Sequence, residues 1–251
     1  MKLVRIEADG EVSHGILERD RIFQTEGFGS LNRTGKTWLR EQCRLLVPSQ
    51  PTKIIAVGLN YSDHAAELSM ALKKEPVIFL KPVSALVAHK EEIRIPPGVD
   101  RVDFEAEAAI VMGKRGKNIP PDRVTEYLLG YTCLNDVTAR TIQEIDGQWT
   151  RAKSFDTFCP AGPWIETEWK PENKRIITRK NGQVEQNGNT KDWIFSIEKM
   201  VSFISKVMTL EPGDIISTGT PKGIGPMEKG DHIEIEIEGI GVLENWVERE
   251  E

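Results

Sequence analysis

Asp103, Glu105 and Glu107 occupy alternate positions in Val-Asp-Phe-Glu-Ala-Glu-Ala-Ala-Ile-Val-Met. In an extended chain successive side chains alternate between faces, so the three acids share one face and Val102, Phe104, Ala106 and Ala108 the other. The acid face continues into Ala109 and Val111 rather than into further polar residues. The carboxylates therefore run toward a buried surface, where they must be paired, neutralised or bound to a cation. Oxygen donors of this kind suit Mg2+, Mn2+ or Ca2+. A charged edge strand guarding against aggregation would show the same alternation. Asp136 tips the balance toward a cation, because it ends the apolar run Leu-Leu-Gly-Tyr-Thr-Cys-Leu-Asn, where a core strand stops and a ligand can reach. The same residue also fits the N-cap of a helix running through Ala139 to Ile145, and a cap can double as a ligand.

His64 and Glu67 are three residues apart in a segment from Tyr61 to Met70 that reads as helix. That spacing puts them on one face, where the carboxylate can hold the imidazole as a general base, although a surface helix carries such pairs incidentally. His14, His89 and His232 have no such company and read as structural. Lys81, Arg140 and Lys153 form a complementary cationic set. Ordinary solvated cations are the default, but an anionic substrate beside a divalent ion would need charge-assisted donors like these. Thr220, in Thr-Gly-Thr-Pro, adds a hydroxyl, in a segment that is also simply a turn. Cys159 sits in Phe-Cys-Pro, where a nucleophilic thiol stays open although no base lies near it in sequence.

These residues need a scaffold. The 251-residue chain is long enough for one substantial core, read here as a small N-terminal domain over residues 1–50 and a catalytic domain over residues 51–251. Leu3 to Ile6 and His14 to Glu18 suggest a hairpin, and Trp38 to Val47 a connector. Ile54 to Gly58, Pro76 to Pro82 and His232 to Glu238 read as strands, the last with Glu234, Glu236 and Glu238 facing water. Ile194 to Met208 carries apolar residues at helical spacing, with Asp192 near its start. Strands dominate without regular strand-helix alternation, which argues against a Rossmann fold or TIM barrel and for a β-rich α+β class.

Three widely spaced cysteines point to reduced thiols in the cytoplasm. The formal net charge of -6 argues against nucleic-acid binding, and no segment has membrane-spanning length without charges. A small-molecule substrate is the expected partner.

Six segments in this order resemble the fumarylacetoacetate hydrolase family over about residues 53 to 247: Val-Gly-Leu-Asn-Tyr-Ser-Asp-His-Ala-Ala-Glu, Phe-Leu-Lys-Pro, Asp-Phe-Glu-Ala-Glu, Asn-Asp-Val-Thr-Ala-Arg, Lys-Ser-Phe-Asp-Thr-Phe-Cys-Pro and Ser-Thr-Gly-Thr-Pro. The resemblance implies a roll of mixed β-sheets with few helices, generally a homodimer. It matches Glu105, Glu107 and Asp136 to the family's metal carboxylates, usually for Mg2+, and leaves Asp103 out of that set. It matches Lys153 to a lysine near the metal and the substrate enolate, and His64 and Glu67 to a water-activating pair on a segment that can close over the site. Gln143 and Thr220 match substrate contacts. Leu59 stands where many relatives carry arginine, so that contact is not carried over.

The expected activity is Mg2+-dependent cleavage of a carbon–carbon bond in acylpyruvates, 2-oxo acids with a second carbonyl, through a metal-stabilised enolate. Isomerisation of 2-hydroxyhepta-2,4-dienedioate and decarboxylation of oxaloacetate share that intermediate and are the alternatives. A non-catalytic metal-binding protein is the alternative of another class.

Overall fold

The computed structural model describes residues 1–63 and 74–251. His64 and Glu67, and with them most of the expected Tyr61 to Met70 helix, lie outside the described residues. Among those residues the chain is a β-rich α+β fold of three sheets. The largest has twelve strands. Its path runs Arg33–Leu39, Arg21–Thr25, Glu11–Glu18, Lys2–Ala8, Cys159–Glu166, Leu128–Asn135, Ala106–Met112, Ile215–Ser217, Ile54–Gly58, Val77–Lys81, with two short strands alongside. Ile215–Ser217 and Ile54–Gly58 pair in parallel while their neighbours are antiparallel, so the sheet is mixed. The hairpin expected near the N-terminus pairs Lys2 with Leu17 through Ala8 with Glu11. It joins the main sheet where Lys2 and Leu3 pair with Glu166 and Ile165.

A five-stranded sheet orders Gln183–Asn189, Arg175–Lys180, His232–Ile237, Gly241–Arg249 and Glu92–Ile95. In His232–Ile237 the isoleucines Ile233, Ile235 and Ile237 are buried while Glu234 and Glu236 are partly exposed, the outcome that strict alternation dictates. The third sheet contains Thr138–Ala139, Val102–Phe104 and Gly225–Met227.

The helix Ile197–Val207 buries Ile197, Met200, Val201 and Ile204, a stripe at the helical period. It begins later than the apolar pattern suggests. Residues Thr190–Asp192 form a 3-10 turn, and the Ser196 side chain caps the helix by accepting from the Lys199 N–H at 3.3 Å. Asp136 is not a cap: the helix Arg140–Asp146 starts after Ala139 without a side-chain cap. No helix among the described residues is long and apolar enough to cross a membrane.

Candidate metal and substrate site

The alternating acids do not lie on one continuous strand. Val102–Phe104 belongs to the three-stranded sheet and Ala106–Met112 to the twelve-stranded one, so the chain changes sheets at Glu105. Its neighbour changes sheets at the same level: Asn135 pairs with Ala106 in one sheet, Thr138 with Asp103 in the other, and Asp136 lies between. Two local bonds hold this double crossing, the Glu105 N–H on Asn135 Oδ1 and the Asp136 N–H on the Glu105 carbonyl, both 2.9 Å. The side chains of Glu105 and Asp136 therefore emerge together where the sheets part.

Glu107, two residues into the larger sheet, completes the cluster. Its carboxylate accepts from the Gly219 N–H at 2.7 Å and from the Ser217 hydroxyl. Gly219 has φ of +92°, and a Cβ there would stand 2.8 Å from Asn60 Cβ, so the turn that aims this N–H requires glycine. One ligand oxygen from each of Glu105, Glu107 and Asp136 lies within 4.8 Å of the others, and all three residues are buried.

Asp103 is buried too but points elsewhere. It accepts from Arg101 at 2.8 and 3.1 Å and from Arg140 Nε at 2.9 Å. Arg140 uses Nη2 on Glu105 Oε1 and Nη1 on Gln143 Oε1, both 2.5 Å. Lys153 Nζ bridges Glu105 Oε2 at 2.8 Å and Asp136 Oδ2 at 2.6 Å. Lys81, expected to meet substrate, instead stands behind the carboxylates: its fully buried ammonium donates to Asp136 Oδ1 at 2.6 Å and to the Val137 carbonyl at 3.2 Å.

Electrostatics separates the three acids. Burial, reinforced by the charges of Asp136 and Glu105, pushes Glu107 up to about 8 despite the Ser217 hydroxyl. Glu105 and Asp136 have direct ion pairs, whereas among the described residues the hydrogen-bond partners of Glu107 are a hydroxyl and an amide. Burial alone would lower Lys153, but Asp136 and Glu105 outweigh it and hold the ammonium above its ordinary range. Burial likewise opposes charge on Arg140, and Glu105 and Asp103 more than offset it. A three-carboxylate donor set in which one member has no cationic hydrogen-bond partner among the described residues fits a hard divalent ion.

Over the cluster opens a cleft of about 250 Å³. The three carboxylates, Arg140, Gln143 and Thr220 contribute its polar surface; Val57, Leu59, Phe79 and Trp149 contribute an apolar wall. Leu59, at φ of +57°, thus puts an alkyl group where the resemblance has arginine. Trp149 meets Phe79 edge to face at 5.2 Å. Asn135, Thr138, Ser217 and Trp149 went unrecognised from sequence. Asn135 and Thr138 fall within Asn-Asp-Val-Thr-Ala-Arg and Ser217 within Ser-Thr-Gly-Thr-Pro, the segments that could have marked them; Trp149 has no such signal. Cys159 is fully buried with its thiol pushed by burial up to about 12, which removes it as a nucleophile. Burial holds His89 down to about 4, and its Nδ1 accepts from the Glu244 N–H, a structural arrangement.

Comparison with known proteins gives the family. The family described as "Fumarylacetoacetate (FAA) hydrolase C-terminal" matches residues 53–248, and "Rv2993c-like, N-terminal" matches residues 1–48. The solved 5-carboxymethyl-2-hydroxymuconate delta-isomerase of Mycobacterium smegmatis is 44% identical, with a TM-score of 0.95 and 100% of both chains covered. The maleylpyruvate hydrolase of Sphingobium sp. SYK-6, solved with manganese(II) and pyruvate, is 30% identical at a TM-score of 0.84, again covering 100% of both chains. The mitochondrial oxaloacetate tautomerase Fahd2a of Rattus norvegicus is 42% identical over 220 residues, 83% of this chain and 70% of the relative.

Proposed function

This chain belongs to the fumarylacetoacetate hydrolase family and is an enzyme, and from that premise we propose that it cleaves a carbon–carbon bond of an acylpyruvate with a divalent cation at Glu105, Glu107 and Asp136. Mg2+ is the first choice of ion, Mn2+ and Ca2+ the alternatives. One observation carries the reading: three buried carboxylates from separate parts of the chain converge beside a cleft edged by the Arg140 guanidinium. When bound, such an ion draws electron density from a 2-oxo carboxylate and lowers the energy of its enolate.

The chain's own residues do the rest. Lys153, held charged between Glu105 and Asp136, puts positive potential where an enolate oxygen develops. Arg140, Gln143 and Thr220 offer donors to the substrate carboxylate from the polar side of the cleft. In the cleavage, oxygen from water bonds to the distal carbonyl carbon, and the bond from that carbon to C3 breaks. Its electron pair enters the pyruvate enolate, and a proton delivered to C3 gives pyruvate and a carboxylic acid. His64 and Glu67 take the water's proton in this reading. The hydrolase neighbour with pyruvate supports it.

Proton transfer alone, as in isomerisation or tautomerisation of an enol, is the second reading, and decarboxylation of oxaloacetate would use the same enolate. Identity is the support for proton transfer as a second reading: the isomerase and tautomerase relatives are 44% and 42% identical, the maleylpyruvate hydrolase 30%. The proposal extends to a cytoplasmic homodimer.

Acetylpyruvate, enol-oxaloacetate and 2-hydroxyhepta-2,4-dienedioate, each assayed with Mg2+ and with Mn2+, separate these reactions. Pyruvate and acetate released from acetylpyruvate is the expected result. Enol-to-keto conversion without cleavage of any substrate overturns hydrolysis in favour of the second reading. Turnover by Glu105→Ala or Asp136→Ala that matches the unsubstituted enzyme overturns the ligand assignment.

A further inference from the structure

Gln186 lies on the strand Gln183–Asn189, outside the cleft, and has no solvent exposure. Its amide has four partners. Oε1 accepts from the Ala106 N–H at 3.0 Å and the Thr178 hydroxyl at 2.7 Å; Nε2 donates to Thr220 Oγ1 and to the Pro221 carbonyl, both at 2.8 Å. The orientation of this amide follows from chemistry. Ala106 N–H can only donate and the Pro221 carbonyl can only accept, so oxygen must face Ala106 and nitrogen must face the Thr220 loop.

That orientation has a consequence for Thr220. Its hydroxyl receives an N–H from Gln186, so its single proton cannot point along that bond. The neighbouring Pro221 carbonyl is 3.5 Å from Oγ1, at the outer limit of a hydrogen bond. Thr220 lines the cleft, and a substrate oxygen there would be the better acceptor. Gly188, on the same strand as Gln186, lets Pro221 pack directly against it: a Cβ at 188 would stand 2.2 Å from Pro221 Cβ. The strand therefore fixes the loop by shape as well as by hydrogen bonds.

We infer that Gln186 is a positioning residue that makes the Thr220 hydroxyl a donor to the substrate's anionic group and ties it, through the Ala106 N–H, to the strand Ala106–Met112 that carries Glu107. The inference rests on the reading that an oxo acid anion binds in this cleft. Gln186→Glu replaces the donor with an acceptor, and Thr220 then turns its proton toward residue 186 and away from the cleft.

Oxalate, a planar analogue of the pyruvate enolate, titrated calorimetrically into the Mg2+-loaded protein, tests this. Thr220→Val and Gln186→Glu should each weaken oxalate about tenfold, the scale of one hydrogen bond to a charged group. The double variant should also show about tenfold rather than about a hundredfold, because both changes remove one interaction. A purely structural Gln186 would give additive losses, and additivity overturns the inference. So does unchanged affinity in Gln186→Glu when Thr220→Val is weakened. If Gln186→Glu does not fold, Gln186→Met, which keeps the volume without a donor, takes its place in the same cycle. Absence of oxalate binding to the unsubstituted Mg2+-loaded protein is a different result: it removes the proposed function, and the inference falls with it.

Discussion

Glu107 is the residue whose behaviour should report most directly on the ion. Its pKa of about 8 in the folded protein lies above its ordinary 4.5, because burial and two neighbouring acids oppose its charge. Between those values the folded protein keeps a proton that the unfolded chain has lost. Stability of the metal-free protein therefore falls as pH rises from about 4.5 to about 8 and levels off above that. Glu107→Gln removes this contribution, so at high pH the metal-free variant should exceed the unsubstituted protein by up to about 5 kcal/mol in urea unfolding, at about 1.4 kcal/mol for each pH unit between those two values. Mg2+ should reverse the ranking, since it stabilises only the chain that retains its third carboxylate. Parallel pH profiles for the two proteins would refute the account. Asp103 makes the contrasting case. Buried between Arg101 and Arg140, it holds a guanidinium rather than a cation from solution. Asp103→Ala should lower stability by about 3 kcal/mol, as expected when one partner of a buried pair is lost, while saturable Mg2+ binding persists by calorimetry.

At the scale of elements, the site depends on where strands leave one sheet for another and on one turn that glycine permits. In Gly219→Ala the new Cβ must escape both Asn60 Cβ at 2.8 Å and the Val57 carbonyl at 3.1 Å, in a backbone conformation that L residues avoid. The loop can yield only by moving the N–H that holds Glu107. The expected outcome is a loss of about tenfold or more in Mg2+ affinity, read by calorimetry, because hydrogen-bond partners that orient ligating carboxylates carry effects of that order. Unchanged affinity would mean that the Ser217 hydroxyl suffices. Much of this framework was legible: Ile54–Gly58, Val77–Lys81 and His232–Ile237 follow from composition and alternation, and the apolar continuation after Glu107 correctly announced burial. The break at Glu105 was not legible, because Phe104 and Ala106 are both buried and the two-residue period passes through the crossing undisturbed. By spacing alone Asp103 therefore looks equivalent to its neighbours; the family resemblance left it out of the ligand set, and the change of sheet supplies the physical reason. Gln186 gave no signal at all, since its four partners, Ala106, Thr178, Thr220 and Pro221, all lie distant in sequence or on another strand.

For the whole molecule the decisive feature is continuity of the large sheet. Sequence suggested a separate unit over residues 1–50, and two family matches meet near that point. Yet Lys2–Ala8 hydrogen-bonds to Cys159–Glu166, which pairs in turn with Leu128–Asn135, the strand leading to Asp136. The N-terminal strands have their own small core of Val4, Ile6, Leu17, Ile22, Trp38 and Leu45, too few side chains to outweigh the chain entropy of ordering about fifty residues unaided. They should therefore unfold with the rest. Calorimetry of the Mg2+-loaded protein is expected to give one transition that the ion moves as a unit, upward by about 5 °C near a hundredfold excess over its dissociation constant, the shift that mass action and the unfolding entropy of a chain this size imply. Hydrogen exchange gives the local test: Mg2+ should slow the slowest amides of Lys2–Ala8 by the same factor as those of Ala106–Met112, although the proposed ligands all belong to the other part of the chain. Two transitions, only one of them responsive to Mg2+, would show that the seam at Leu3 and Ile165 transmits no stability.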